Sequence, residues 1–414
     1  MTTSRPTVPL AAATASPKTG GAPAGLGVLG MTSEEYVAAC AAAGVRGGRA
    51  GALERYTALF RRGLSDQPGL SVAAPAVLRR LTSESAEGTT LKFTLPAAGA
   101  GRAGAPLESE SVLIPMVGRK GHRTYTLCVS SQVGCAMGCA FCQTAQMGLL
   151  RSLSAAEIVA QWFAATHALG HAVSNLVFMG MGEPLDNLDE VLRAIAVLTD
   201  HRGAGLPMSK IVVSTVGRLD GLARLAEQVR RPGWRRLNLA VSLNAPDDRV
   251  RSAIMPINRA MPLGALRRAL EAWPIYGGAK ICLEYVLIPG VNDAPDHARL
   301  AAAFVRGSEP GAADPGPGRA VGPWEGPPLK AMINVIPYNP RDRSPWRAPT
   351  EEEVDRFLAA LLDHGVYAKR RRTKGRETMA ACGQLGNPAL RRRRSPPLSE
   401  GGGATGAVPA PSAI

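Results

Sequence analysis

No stretch of this chain approaches the roughly 20 uninterrupted apolar residues that a membrane-spanning helix needs, which excludes an integral membrane protein of that kind. Cysteine is scarce, seven in 414 residues, and no signal peptide is visible. A secreted disulfide framework would be denser and in a shorter chain. Acidic residues are also in short supply, with 33 Asp plus Glu against 48 Lys plus Arg, a formal charge of +15. That excess points to a polyanion, nucleic acid ahead of a membrane surface. A coding bias raising Arg, Ala, Gly and Pro together is the bland alternative. What is present is 45% hydrophobic residues, enough to build a core, and a length that fits one large domain with additions or two domains.

Residues 1–30 carry only Arg5 and Lys18 as charges and read as a disordered leader. An organellar transit peptide is the alternative, although it should hold more Arg on an amphipathic helix. From 31 to about 100, EEYVAACAAAG and ALERYTALFRRG suggest a small helical N-terminal domain, accessory to or binding RNA. After Glu110 the rhythm becomes strand then helix, repeated. Strand-like runs are TYTLCVS, NLVFMGM, KIVVST, LNLAVSL, ICLEYVLI and MINVIPYN, with helical segments between them and EEEVDRFLAALLDHG after the last. Near-continuous apolar strands alternating with helices imply a parallel sheet. Six units are too few for a closed eight-stranded barrel, so the expected fold is α/β, a partial (β/α)6 barrel over residues 105–388, with a doubly wound sheet as the alternative. Residues 307–329 read as a Pro/Gly-rich loop insertion, and 389–414 as a basic, disordered tail.

Four of the seven cysteines, Cys128, Cys135, Cys139 and Cys142, fall within fifteen residues. Clustered cysteines in a large chain read as a metal or cluster site in a reducing compartment, here the cytoplasm. Cys135, Cys139 and Cys142 form a C-x3-C-x2-C loop with Phe141 before the last thiol. Three thiolates on one tight loop hold three irons of a cubane and leave the fourth open. Zinc would need a fourth ligand, and the next histidine, His167, lies in a helical segment. This triad resembles that of the radical S-adenosylmethionine enzymes. The resemblance implies a 4Fe–4S cluster, chelation of S-adenosylmethionine at the open iron, and a 5′-deoxyadenosyl radical. It also implies that residues at the strand ends bind S-adenosylmethionine: Gly182, Glu183, Ser214, Ser242, Leu243, Asn244 and Asn339.

Four further motifs, TLCVSSQVGC, GMGEP, INVIPYNP and MAACGQLG, occur in order. Together they resemble the RlmN-type adenine carbon-2 RNA methyltransferases over roughly residues 105–388. The resemblance implies that Cys382 becomes S-methylated by one S-adenosylmethionine and that a second, making two per turnover, yields the radical. It further implies that Glu110 is the proton acceptor and that Cys128 resolves the protein–RNA adduct as a transient disulfide with Cys382. The implied substrates are 23S ribosomal RNA and, by analogy, tRNA, with a flavodoxin or ferredoxin as electron donor and no membrane partner. A carbon-8 methyltransferase of the same family, or a radical enzyme acting on something other than RNA, is the alternative. Asn244 stands where family members commonly have His, so a ligand-binding role survives there but a titrating one does not. Cys40 and Cys282 have no motif around them and read as structural. Ten of the basic residues bracket Cys382: Lys369 to Arg372, Lys374, Arg376 and Arg391 to Arg394. Such a run predicts phosphate contacts beside the reacting cysteine.

Overall fold

The computed structural model describes residues 27–387 apart from 67–71, 102–103, 119–120, 308–323, 325, 342 and 373. The expected leader up to 26, most of the 307–329 insertion and the tail from 388 lie outside these residues. Helix α1 (Ser33–Ala42) opens on a capping box, Thr32 with Glu35, and α2 (Gly48–Arg62) closes on Gly63 in the left-handed region.

The expectation of a helical unit across 31–100 is corrected beyond Arg62. Residues Arg79–Ser83 and Thr90–Ala100 are strands β1 and β2, and Pro106–Val117 is β3. Leu91, Phe93 and Leu95 recur at every second position, the period of a strand, and β2 pairs antiparallel with β3 so that Thr94 faces Glu110. Glu110 therefore sits inside a strand rather than before the first one.

Strand β4 (Arg123–Cys128) pairs antiparallel with β3 on one side. The short hairpin β5 (Gln132–Gly134) and β6 (Leu149–Ser152) follows, with α3 (Gln143–Met147) between its arms. On its other side β4 begins a parallel run through β7 (Val173–Phe178), β8 (Ile211–Thr215), β9 (Asn238–Ser242), β10 (Ile281–Leu287), β11 (Ala331–Pro337) and β12 (Ala368–Arg370). Among the described residues these ten strands, β1–β4 and β7–β12, form one sheet. The six sequence-predicted strands are β4 and β7–β11. Their covering helices are α4 (Ala155–Phe163), α5 (Leu188–Thr199), α6 (Leu219–Arg230), α7 (Asp248–Ile254), α8 (Leu263–Glu271), α9 (Pro295–Arg306) and α10 (Glu351–Asp363). The architecture is the partial (β/α)6 barrel, extended on one edge by an antiparallel hairpin sheet.

Helix α4 is buried along its whole length because the N-terminal segment packs over it. Phe60 stacks on Trp162 with centroids 6.2 Å apart, and a Cβ on Gly30 would lie 3.1 Å from the Ala156 nitrogen. No helix among the described residues is long and apolar enough to cross a membrane.

Candidate active site

The carboxyl ends of the parallel strands converge on an open cavity of about 870 Å³, counting its mouth. Gly182, Glu183, Ser214, Ser242, Asn244, Asn339, Cys142 and Cys382 all line it. Strand direction alone brings these sequence-distant residues to one rim. Leu243 is not among the lining residues. Its side chain is fully buried, and its carbonyl accepts from Arg251 Nε at 3.1 Å.

The cysteine loop is held by glycines and backbone bonds. A Cβ on Gly134 would lie 1.9 Å from the Gly148 carbonyl oxygen, so no other residue fits there without movement. The Cys135 N–H donates to that carbonyl at 3.0 Å, and the Ala140 N–H donates to Ile254 O at 2.9 Å. Cys135 and Cys139 are buried and Cys142 is half-buried. Burial pushes all three thiols up, and the neighbouring thiols push Cys135 and Cys139 further. Bound iron reverses that logic by deprotonating its thiol ligands. Among the described residues no three His, Cys, Asp or Glu side chains converge on one point as a single ion requires. A cubane gives each thiolate its own iron, so three separate thiols on one loop suit it without such convergence.

Glu183 is the only carboxylate of the rim expectation, and it lies 2% exposed. Its Oε1 accepts from the Leu185 N–H at 3.0 Å and its Oε2 from the Val216 N–H at 2.9 Å. Burial outweighs these bonds and raises its pKa from 4.5 to about 7. A ligand ammonium entering the cavity would favour the ionised form. In the cofactor-free protein the folded state holds the proton more tightly than the unfolded chain. Its stability contribution is therefore complete below pH 4.5 and is lost as pH rises through about 7. Relative to Glu183→Gln, the native protein is expected to lose on the order of 3 kcal/mol across that window. Urea unfolding of both proteins at several pH values checks this.

Two buried residues shape the rim: Arg251, which the sequence did not single out, and Asn244, which it did. Arg251, 1% exposed, donates to the carbonyls of Leu243, Val216 and Ser242 and to Asn258 Oδ1. It thereby ties the ends of β8 and β9 together, and burial lowers its pKa to about 10. Asn244 sits at φ +56°, a left-handed conformation that Asn tolerates better than most residues. Its Oδ1 accepts from the Val286 N–H at 2.9 Å, which fixes the strand end it occupies.

The segment carrying Cys382 folds back over the cluster loop. The Gln143 N–H donates to Gly383 O at 2.7 Å, Thr144 Oγ1 to Leu385 O at 2.6 Å, and Asn339 Nδ2 to Cys382 O at 3.4 Å. Cys128, at the end of β4, is buried and faces this segment. Burial, with the Cys382 thiol adding to it, pushes its pKa up to about 12, while the Arg371 guanidinium acts in the opposite sense. Arg371 lines the cavity beside Cys382, with Nη1 3.2 Å from Met179 Sδ and 4.0 Å from Glu284 Oε1.

Among the described residues the basic run divides between paired and exposed side chains. Arg370 is paired with Glu351, Lys374 with Glu87, Arg376 donates to Asn339 Oδ1, and Arg371 faces the cavity. Lys369, Arg372 and Arg376 are exposed, with Arg372 3.4 Å from Glu87. Arg391 to Arg394 lie outside the described residues. The signal for Glu284 was present in the sequence, as a charge inside the apolar run ICLEYVLI.

A cysteine triad beside a rim of strand-end polar residues on a partial (β/α)6 barrel defines a radical S-adenosylmethionine protein. Residues 129–301 match the model of the Radical SAM superfamily. A radical SAM methyltransferase from Sphaerobacter thermophilus superposes with a TM-score of 0.70 at 32% identity, over 86% of this chain and 98% of that one. The chain is 42% identical to a probable dual-specificity RNA methyltransferase RlmN of Protochlamydia amoebophila, over 70% of this chain and 72% of that protein. A probable RNA methyltransferase of Sorangium cellulosum is also 42% identical, over 75% of this chain and 69% of that one. The chain belongs to the RlmN-type family of radical S-adenosylmethionine enzymes. A 4Fe–4S cluster and S-adenosylmethionine follow from that membership.

Proposed function

We propose that this protein methylates carbon 2 of adenine in 23S ribosomal RNA, and in tRNA as the second substrate class. The observation that carries the reading is the approach of the Cys382 segment to the cluster loop: Gly383 is bonded to Gln143, next to Cys142, and Cys382 and Cys142 line one cavity. Dual specificity in the relatives' names supports two RNA classes. When bound, the cluster and S-adenosylmethionine supply a 5′-deoxyadenosyl radical.

The roles of the chain's residues follow from chemistry and position. Cys135, Cys139 and Cys142 hold the cluster. Gly182, Glu183, Ser214, Ser242, Asn244 and Asn339 bind S-adenosylmethionine, with Glu183 receiving its ammonium and Leu243 contributing only backbone. Carbon 2 of adenine is electrophilic, so direct attack on a sulfonium methyl is unfavourable, and the methyl group is carried to it on Cys382. Glu110 takes the carbon-2 proton from the adduct. Cys128 as thiolate then attacks the Cys382 sulfur, and the carbon–sulfur bond breaks with its electron pair going to the methylene carbon on adenine. A proton from solvent completes the methyl group, and a Cys128–Cys382 disulfide remains. Two S-adenosylmethionine molecules are consumed per methylation, one to methylate Cys382 and one for the radical. A flavodoxin- or ferredoxin-type donor supplies the electrons, and the free thiols suit the reducing cytoplasm.

Adenine must leave its stack to meet Cys382, so naked RNA is the better substrate. Anaerobic incubation with an RNA transcript followed by nucleoside mass spectrometry tests the assignment. Formation of 2-methyladenosine is expected. Formation of 8-methyladenosine alone would overturn it in favour of the carbon-8 type.

A further inference from the structure

Lys92 lies on β2, in the antiparallel edge, outside the part of the chain that matches the radical superfamily. It is buried, and a charge inside LKFTL is costly unless it is paired and bonded. Its Nζ is 2.7 Å from Glu110 Oε2, and both side chains are less than a tenth exposed. Each partner also reaches the segment that carries Cys382. Lys92 Nζ donates to Met379 O at 3.1 Å, and Glu110 Oε2 accepts from the Gly386 N–H at 3.0 Å. The two anchors stand three residues before Cys382 and four residues after it. Met379 adopts φ +51°, an uncommon conformation for its residue type, so the backbone there is held from outside.

The rest of the edge supports the same grip. Lys374 reaches Glu87 and the Pro115 carbonyl, and a Cβ on Gly375 would lie 3.1 Å from Thr90 Cγ2. The antiparallel edge is therefore the seat of the Cys382 segment, and the Lys92–Glu110 pair is a buried ionic contact within it.

We infer that Lys92 is a positioning residue, which with Glu110 clamps both flanks of the Cys382 segment and sets the methyl-carrying cysteine and the proton acceptor in fixed register. The inference rests on the roles proposed for Cys382 and Glu110, but the geometry of the clamp can be tested without turnover. The bonds to Lys92 and Gly386 both fall on Glu110 Oε2, so the clamp stays closed while Oε1 is the oxygen that takes a proton from substrate.

The test is the rate at which iodoacetamide alkylates Cys382, read by peptide mass spectrometry on the anaerobically purified protein, with tryptic cleavage at Arg376 alongside. Lys92→Met leaves Glu110 buried without its partner, so Lys92→Met/Glu110→Gln, which removes both charges, serves as the variant that keeps its fold. Glu110→Gln alone retains the Lys92 bond to Met379 and an acceptor for Gly386 but leaves the Lys92 charge unpaired, so its alkylation rate is the reference against which the double variant is read. The double variant keeps the acceptor for Gly386 but loses the Lys92 anchor on Met379, and should alkylate about tenfold faster. Lys92→Arg should restore protection and, in turnover, the yield of methylated RNA per 5′-deoxyadenosine. Equal alkylation and cleavage rates for Glu110→Gln and the double variant would overturn the clamp. Failure of RNA methylation by the native protein would overturn the proposed function and leave the alkylation result standing.

Discussion

Replacing Cys382 with alanine is expected to abolish RNA methylation altogether while 5′-deoxyadenosine is still formed. Cys382 is half-buried on the cavity wall and its carbonyl accepts from Asn339. Alanine keeps that backbone bond and the packing of a small side chain, so the rim and the cluster loop remain in place. Only the sulfur that would carry the methyl group is lost. A radical enzyme acting on another substrate would retain activity in this variant, because there Cys382 is a wall residue and nothing more. Product RNA should fall by more than about a thousandfold, below the level that loss of one positioning contact explains. The measurement is nucleoside mass spectrometry of the RNA with 5′-deoxyadenosine quantified in the same reaction.

The second large effect is expected from Cys128→Ala. If Cys128 resolves the adduct, its removal stops the reaction after the carbon–carbon bond has formed, and RNA should remain covalently attached to the chain. Less than about one turnover per protein should occur, and a slower-migrating species should appear on a denaturing gel. The surroundings explain why Cys128 is quiet until that point. Burial comes first, and the Cys382 thiol adds to it, in raising the Cys128 pKa to about 12. Once Cys382 is alkylated it cannot carry a negative charge, so that second influence vanishes, while the positive Arg371 still faces Cys128. Cys128 becomes a better nucleophile at the stage where one is required. A free, unmethylated RNA pool with no adduct would remove Cys128 from the resolving role.

The parallel part of the fold was legible because its strands are buried on both faces and read as short apolar runs split by amphipathic helices. The capping boxes at Ser154 and Thr350 mark two of the helix starts. The antiparallel edge was not legible in the same way. Strand β1 is exposed over Arg79–Thr82, and β2 owes its place to pairing with β3 across an intervening turn, which no local pattern announces. At the site, the cysteine triad and the rim residues stood out because chemistry demands those types at that spacing. Arg251, Arg371 and Lys92 did not, since an arginine in DRVRSAI or in a run of four cations looks like a solvated surface charge. Burial, which is set by tertiary packing, separates them from that background. The basic run illustrates the converse, because its charges were readable while their partners Glu351, Glu87 and Asn339, distant in sequence, were not.

The account stands most directly on Cys382 as the carrier of the methyl group. Protein purified anaerobically and methylated at Cys382 from isotopically labelled S-adenosylmethionine, then freed of it, can be given RNA, reductant and unlabelled S-adenosylmethionine for a single turnover. The label is predicted to leave Cys382 and appear on carbon 2 of adenine, one label per chain at most. Label retained on the protein while unlabelled methyl appears in the RNA would contradict the account.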